Sequence, residues 1–150
     1  EMCIRDRSDA VEKKQHEQAE IVLQALGREI FVDDEDYLDM ATALSGTGPS
    51  YVFLFMEALV DAGVRMGFSQ KMAEELVYYM VKGSADFVVQ SPKSLSQLRD
   101  QVTSPGGTSV EALYHLEKAG FRTALSQAVW AAYKRSVELG RSGRSDSLKS

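Results

Sequence analysis

Residues 51–64, YVFLFMEALVDAGV, decide the architecture. Tyr51, Val52, Phe53, Leu54, Phe55 and Met56, followed by Leu59 and Val60, leave almost no polar face. A helix over 50–66 is therefore predicted, apolar nearly all round, which neighbours must enclose. Glu57 and Asp61 cut the run well short of the ~18 apolar residues that a membrane span requires, so a transmembrane role is excluded for it. The helical part of a 150-residue chain has little to wrap around such a helix, because small domains bury a limited fraction of their surface. A second copy is the expected cover, by helix packing in a homodimer.

Working outward, the chain downstream reads as helices broken by glycine, serine and proline. Apolar positions Met72, Leu76, Tyr79, Met80, Gly83 and Phe87 make a one-sided stripe over 69–90, with Ser69 as its start signal. A shorter helix is predicted for Ser94–Val102, another over about 108–119 ending at Gly120, and a last one over about 121–139 ending at Gly140. That last helix carries Phe121, Leu125, Ala128, Val129 and Ala132 on one face, and the tail RSGRSDSLKS (141–150) reads as polar and frayed. Upstream, a helix is predicted from Ser8, its cap, to Leu26, with Gly27 as its stop. Ile30, Phe31 and Val32 then form one isolated strand. A lone helix and strand look like the tail of a sheet domain. The opening EMCIRDR (1–7) lacks the apolar middle of a signal peptide and reads as a fragment edge or foreign sequence.

The fold class expected is all-α, a helical bundle preceded by a residual helix and strand. Composition narrows the function. A formal charge of −5 with no basic run argues against nucleic acid as a partner. Cys3, the sole cysteine, cannot form an internal bridge, which suits a reducing, cytoplasmic setting. His16 and His115 stand in no metal-ligand spacing, and no metal site is expected.

Chemistry concentrates in TSPGGTSVEAL, residues 103–113. Thr108 and Glu111 form T-x-x-E, a capping box that needs no ligand. A cap alone does not explain Ser104-Pro105-Gly106-Gly107 ahead of it, since two glycines lose much entropy on ordering. A carboxylate would explain them: glycines let backbone N–H groups reach it, the positive helix end favours its charge, and Ser104, Thr108 and Ser109 offer hydroxyls. Both readings fit the residues. LSGTGPSY (44–51) lacks the strand and third glycine of a dinucleotide fingerprint and reads as a bend, with Gly48-Pro49 opening the apolar helix. The acidic run of Asp33, Asp34, Glu35, Asp36 and Asp39 reads as a solvated turn at a helix start. No histidine–acid pair is visible to activate Ser109 for covalent catalysis. Trp130 and the tyrosines fall on helical faces, as core or interface residues.

LSGTGPSYVFLFMEALVDAGVRMG (44–67) together with LRDQVTSPGGTSVEALYHLEKAGFRTALSQAVWAAYKRSVEL (98–139) resembles the C-terminal part of the pyrroline-5-carboxylate reductase family. The likeness runs from about Gln18 to Leu139. It implies that residues 8–36 are the end of a dinucleotide-binding domain and residues 37–143 a helical dimerisation and substrate-binding domain, with 144–150 a tail. It implies transfer of a hydride from NADPH or NADH to 1-pyrroline-5-carboxylate, giving L-proline. The cofactor would be bound mainly by an N-terminal domain whose glycine-rich fingerprint is not in this sequence, so the chain alone is expected to be inactive. The resemblance further implies that Ser104, Gly106, Gly107, Thr108 and Ser109 hold the substrate carboxylate. Ser109, commonly threonine in the family, would stand near the substrate nitrogen as the catalytic hydroxyl. Glu35 matches a carboxylate near both cofactor and substrate, and Gln101 stands where some members have asparagine. SGTGPSY departs from the commoner S-G-S-G-P-A-Y. The competing expectation is a helical dimerisation module with no chemistry of its own.

Overall fold

A computed structural model describes residues 2–6 and 10–147. The chain divides into two compact units, one made of residues 1–48 and 127–150, the other of 49–126.

The first unit opens with strand β1 (Met2–Arg5), helix α1 (Lys13–Gln24) and strand β2 (Arg28–Phe31). The strands pair in parallel, Met2 opposite Arg28 and Arg5 opposite Phe31. The strand expected to stand alone therefore has a neighbour. Parallel strands need a crossover of about a dozen residues or more, and α1 supplies it. The His16 ring meets the Phe31 ring edge-on with centroids 5.0 Å apart. Residues 2–5 escape a pattern reading because four residues give too short a run. Ser8, the expected cap of α1, lies outside the described residues; the helix starts at Lys13, where the Glu12 N–H donates to Gln15 Oε1 at 3.0 Å.

Asp34 Oδ1 accepts from the Asp36 N–H at 2.9 Å, and this turn leads into α2 (Asp36–Ala41). A π-helical turn follows over Thr42–Gly46. It closes by the Thr47 N–H donating to the Thr42 carbonyl at 2.8 Å, five residues back. Ala43, its second residue, is buried.

The second unit begins with α3 (Gly48–Met66) and α4 (Gln70–Gln90). Ser69 caps α4 as its sequence position predicts, its Oγ accepting from the Met72 N–H at 3.3 Å. Val60, Ala73 and Val77 form the buried contact between the two helices, with Met56, Leu59 and Val81 packed beside it. Gly63 permits that approach, since a Cβ there would lie 3.1 Å from Ala73 Cβ. Next come α5 (Leu95–Gln101), capped by Ser94 and Gln97 in a reciprocal box, and α6 (Thr108–Lys118). The last helix, α7 (Phe121–Ser147), starts in this unit and continues in the other. It runs through Gly140, where a stop is expected from the sequence; one glycine costs a helix only about 1 kcal/mol.

The enclosure expected for the apolar helix is not supplied by this chain. In α3 only Val60 and Gly63 are buried, while Phe53 and Leu54 are each 67% exposed. On α4 Tyr79 is 74% exposed, and on α7 Trp130 is 59% exposed. Apolar patches on this scale are uncommon on monomers.

Candidate functional site

The segment between α5 and α6 is built from its ends inward. α5 closes on itself: the Thr103 hydroxyl donates to the Arg99 carbonyl at 2.6 Å, and the Val102 N–H to the same carbonyl at 3.2 Å. Ser104 to Gly107 then form a β-turn, the Gly107 N–H donating to the Ser104 carbonyl at 3.0 Å. Proline at the second position and Gly106 at φ +72° in the third define a type II turn. Gly107 is required for a different reason: a Cβ there would lie 2.6 Å from Ser104 Oγ and 3.1 Å from the Ser104 carbonyl oxygen. Each glycine thus has a local cause.

The capping box expected at Thr108 and Glu111 is not formed. Gly107 is the cap residue, with extended backbone (φ −80°, ψ 168°), and no side chain caps the helix. The turn places Thr108 one position inside α6, so its hydroxyl cannot reach back over the free N–H groups. Glu111 instead faces His115, with Oε1 3.2 Å from Nε2.

The result is a set of unengaged polar groups at one helix start. Among the described residues, the N–H groups of Gly106, Thr108 and Ser109 and the hydroxyls of Ser104, Thr108 and Ser109 have no partner within the chain. Ser109 and Gly107 are half-buried; Ser104, Gly106 and Thr108 are exposed. Unpaired N–H groups at a helix N-terminus, with the positive end of its dipole, suit an anion. Gly107's own N–H is taken by the turn, so it shapes this cradle without donating to it. Gln101, the last residue of α5, is exposed at the edge of the same segment.

Glu35 belongs to the other unit, where it is exposed at the residue before α2 and its carbonyl accepts from the Leu38 N–H at 2.9 Å. Gly46 ends the π turn and Gly48 opens α3, both after a helix, so they do not fit the strand-turn-helix cradle of a dinucleotide pyrophosphate. α3 does open at Gly48-Pro49. A groove of about 560 Å³ in the second unit, lined by Phe53, Val60, Tyr78 and the carboxylates of Glu57, Asp61 and Glu74, holds none of the expected site residues. A residue that sequence reasoning passed over is Ser136, whose hydroxyl donates to Asp39 Oδ1 at 2.5 Å. Its signal is a hydroxyl four positions beyond Ala132, on the half-buried stripe of α7.

Fold and loop together define a mainly helical protein with a parallel strand pair, unpartnered apolar helix faces and an anion-suited helix start. The family model described as pyrroline-5-carboxylate reductase dimerisation matches residues 35–139, and the chain belongs to that family. Among curated relatives, the pyrroline-5-carboxylate reductase of Synechocystis sp. is 42% identical over 131 residues, covering 87% of this chain and 49% of that protein. The enzyme of the same name from Glycine max is 45% identical over 125 residues, covering 82% of this chain and 46% of that protein. Among solved structures, Plasmodium falciparum pyrroline carboxylate reductase with NADP bound matches with a TM-score of 0.84 at 36% identity, covering 91% of this chain and 52% of that one. A Coxiella burnetii pyrroline-5-carboxylate reductase matches with a TM-score of 0.87 at 38% identity, covering 92% and 51%. The chain spans about half the length of the relatives it matches. Among the described residues no helix is long and apolar enough to cross a membrane.

Proposed function

We propose that this chain is the dimerisation and substrate-binding part of a reductase that converts 1-pyrroline-5-carboxylate to L-proline with NADPH or NADH. The observation that carries the reading is the type II turn before α6, which leaves three N–H groups and three hydroxyls unengaged at one helix start.

The substrate is a five-membered cyclic imine bearing a carboxylate. Its carboxylate accepts from the N–H groups of Gly106, Thr108 and Ser109 and from the hydroxyls of Ser104 and Thr108, where the dipole of α6 favours its charge. Fixing that end of a small rigid ring fixes the imine as well, which is how binding becomes orientation. NAD(P)H, when bound, supplies the hydride that adds to the imine carbon. The imine nitrogen takes up a proton in the same conversion, and the Ser109 hydroxyl is assigned as the hydrogen-bond donor to it. A serine in place of threonine keeps the donor and loses the methyl that restricts its rotamer. On the family resemblance, Glu35 and Gln101 are each assigned to cofactor and substrate binding. The exposed apolar faces of α3, α4 and α7 pack against a second copy in a homodimer or higher oligomer.

The test is thermal unfolding of the chain with and without L-proline, alongside its sedimentation. A ligand that binds the folded state raises the melting temperature with concentration. Expected are a rise at millimolar L-proline and a dimer or larger species. A concentration-independent melting temperature would leave a dimerisation module without a binding site, and a monomer would remove the interface.

A further inference from the structure

Thr103 stands between α5 and the turn before α6, all within one compact unit. It is half-buried, and both of its donors are spent on α5. The hydroxyl donates to the Arg99 carbonyl at 2.6 Å, at the short end of the O–H···O range, and the N–H donates to the Asp100 carbonyl at 3.2 Å. Those carbonyls follow directly on Leu98, the buried side chain of α5. The last carbonyls of a helix have no partner inside it, so a side chain that takes one of them decides where the chain leaves. In a helix of seven residues that decision is not made by length.

The next residue, Ser104, already belongs to the turn. Its carbonyl accepts from the Gly107 N–H at 3.0 Å, and its Oγ lies against Gly107, where a Cβ would meet it at 2.6 Å. Pro105 restricts the backbone of Ser104 from the other side, since the residue before a proline is held out of the helical region. No flexible link therefore separates the Thr103 bond from the turn. The Arg99 carbonyl also accepts from the Val102 N–H at 3.2 Å, so loss of the Thr103 hydroxyl would leave no carbonyl without a partner. What it would remove is direction.

We propose that Thr103 is a positioning residue for the carboxylate cradle: its hydroxyl docks the Ser104–Gly107 turn on the end of α5, and so fixes where the Ser104 hydroxyl and the Thr108 and Ser109 N–H groups stand. The proposal rests on the reading of that cradle given above, and Thr103 acts through the turn rather than on the substrate.

The test is steady-state kinetics of the full-length reductase carrying this region, comparing Thr103→Val, Thr103→Ser and Gly107→Ala. Thr103→Val keeps the size and the β-branch and removes the hydroxyl. Expected for it is a rise of about fivefold or more in KM for the imine and in the inhibition constant of L-proline, with KM for NADPH within about twofold of the parent. Thr103→Ser keeps the hydroxyl and restores both imine and proline values. Thr103→Ala carries the same comparison where Thr103→Val yields no folded protein. A change in Thr103→Val confined to the melting temperature, while Gly107→Ala raises KM for the imine, overturns the role of Thr103 alone. A rise shared equally by both KM values does the same, as does a Thr103→Ser variant no better than Thr103→Val, which would trace the effect to the methyl group. If Gly107→Ala leaves the imine kinetics at the parent values, the cradle itself is refuted, and the role of Thr103 falls with it.

Discussion

Ser45-Gly46-Thr47-Gly48-Pro49-Ser50 and Ser104-Pro105-Gly106-Gly107-Thr108-Ser109 contain the same six residues in different order. Each stands before a helix, yet they use their polar groups in opposite ways. In the first, Thr47 folds back on the Thr42 carbonyl with both its N–H, at 2.8 Å, and its hydroxyl, at 3.0 Å. In the second, among the described residues, the hydroxyls of Ser104, Thr108 and Ser109 have no partner. The order of proline and glycine explains the difference. Gly48-Pro49 puts proline in the first turn of α3, where its missing N–H costs nothing. Pro105-Gly106 puts proline ahead of a glycine with positive φ, which makes a turn and separates the chain from the preceding helix. Composition alone would have assigned both segments the same role.

The widest separation between the two segments is expected from one substitution made in each. Gly107→Ala would push a Cβ to 3.1 Å from the Ser104 carbonyl oxygen, which backbone movement alone can relieve. Opening the turn displaces the Thr108 and Ser109 N–H groups, and a displacement of about 1 Å can cost about 100-fold in rate. Gly48→Ala meets nothing within 4 Å and has no positive φ to lose. In the full-length reductase, kcat/KM should fall by about 100-fold for the former and stay near the parent value for the latter. Equal losses would show that the two segments do not differ in function.

Ser109→Ala sharpens the contrast from the chemical side. Ser109 is half-buried and its hydroxyl is not engaged within the chain, so its removal leaves no orphaned partner. If it assists protonation of the imine nitrogen, kcat should drop by about tenfold or more, with the melting temperature within a few degrees of the parent. An unchanged kcat would reduce Ser109 to a backbone donor.

Much of this arrangement is legible in the sequence, and the parts that are not have physical reasons. The starts of α4 and α5 are read from Ser69 and Ser94 because a cap is a local contact within four residues. The start of α6 at about residue 108 is read correctly, but its cap is assigned to Thr108 where the structure uses Gly107. T-x-x-E is a valid box only if Thr108 has non-helical backbone, and the Ser104–Gly107 turn decides otherwise. The π turn at Thr42–Gly46 uses ordinary helix residues and bonds that reach five residues back, such as Thr47 N–H to the Thr42 carbonyl, which no pattern announces. β1 is four residues with no alternation to detect. The Asp39–Ser136 contact joins distant parts of the sequence, and only folding brings them together. For the apolar helix, the pattern signals a need for cover, and the described residues leave most of its apolar side chains exposed.

Thr47→Val tests the internally satisfied segment. It removes a hydroxyl whose acceptor, the Thr42 carbonyl, keeps its bond from the Thr47 N–H. The loss should be about 1 kcal/mol, the net worth of one such hydrogen bond, read as a shift in the urea midpoint at constant m-value. Kinetics of the full-length protein should not follow it. A fall in kcat/KM with stability intact would place Thr47 in the site and erase the distinction between the two segments.

The smallest effect expected is for Thr108→Ala, and it discriminates between two pictures of the same residue. Were Thr108 the cap of α6, its loss would cost about 1 kcal/mol. The structure gives the cap to Gly107 and makes Thr108 the first helical residue, with its hydroxyl engaged by no group among the described residues. Alanine is also the better helix former, by a few tenths of a kcal/mol. Urea unfolding should therefore show a change within about 0.5 kcal/mol of zero. A loss near the full capping value would mean that the helix begins one residue later in solution, and the Thr108 N–H would then no longer belong to the cradle.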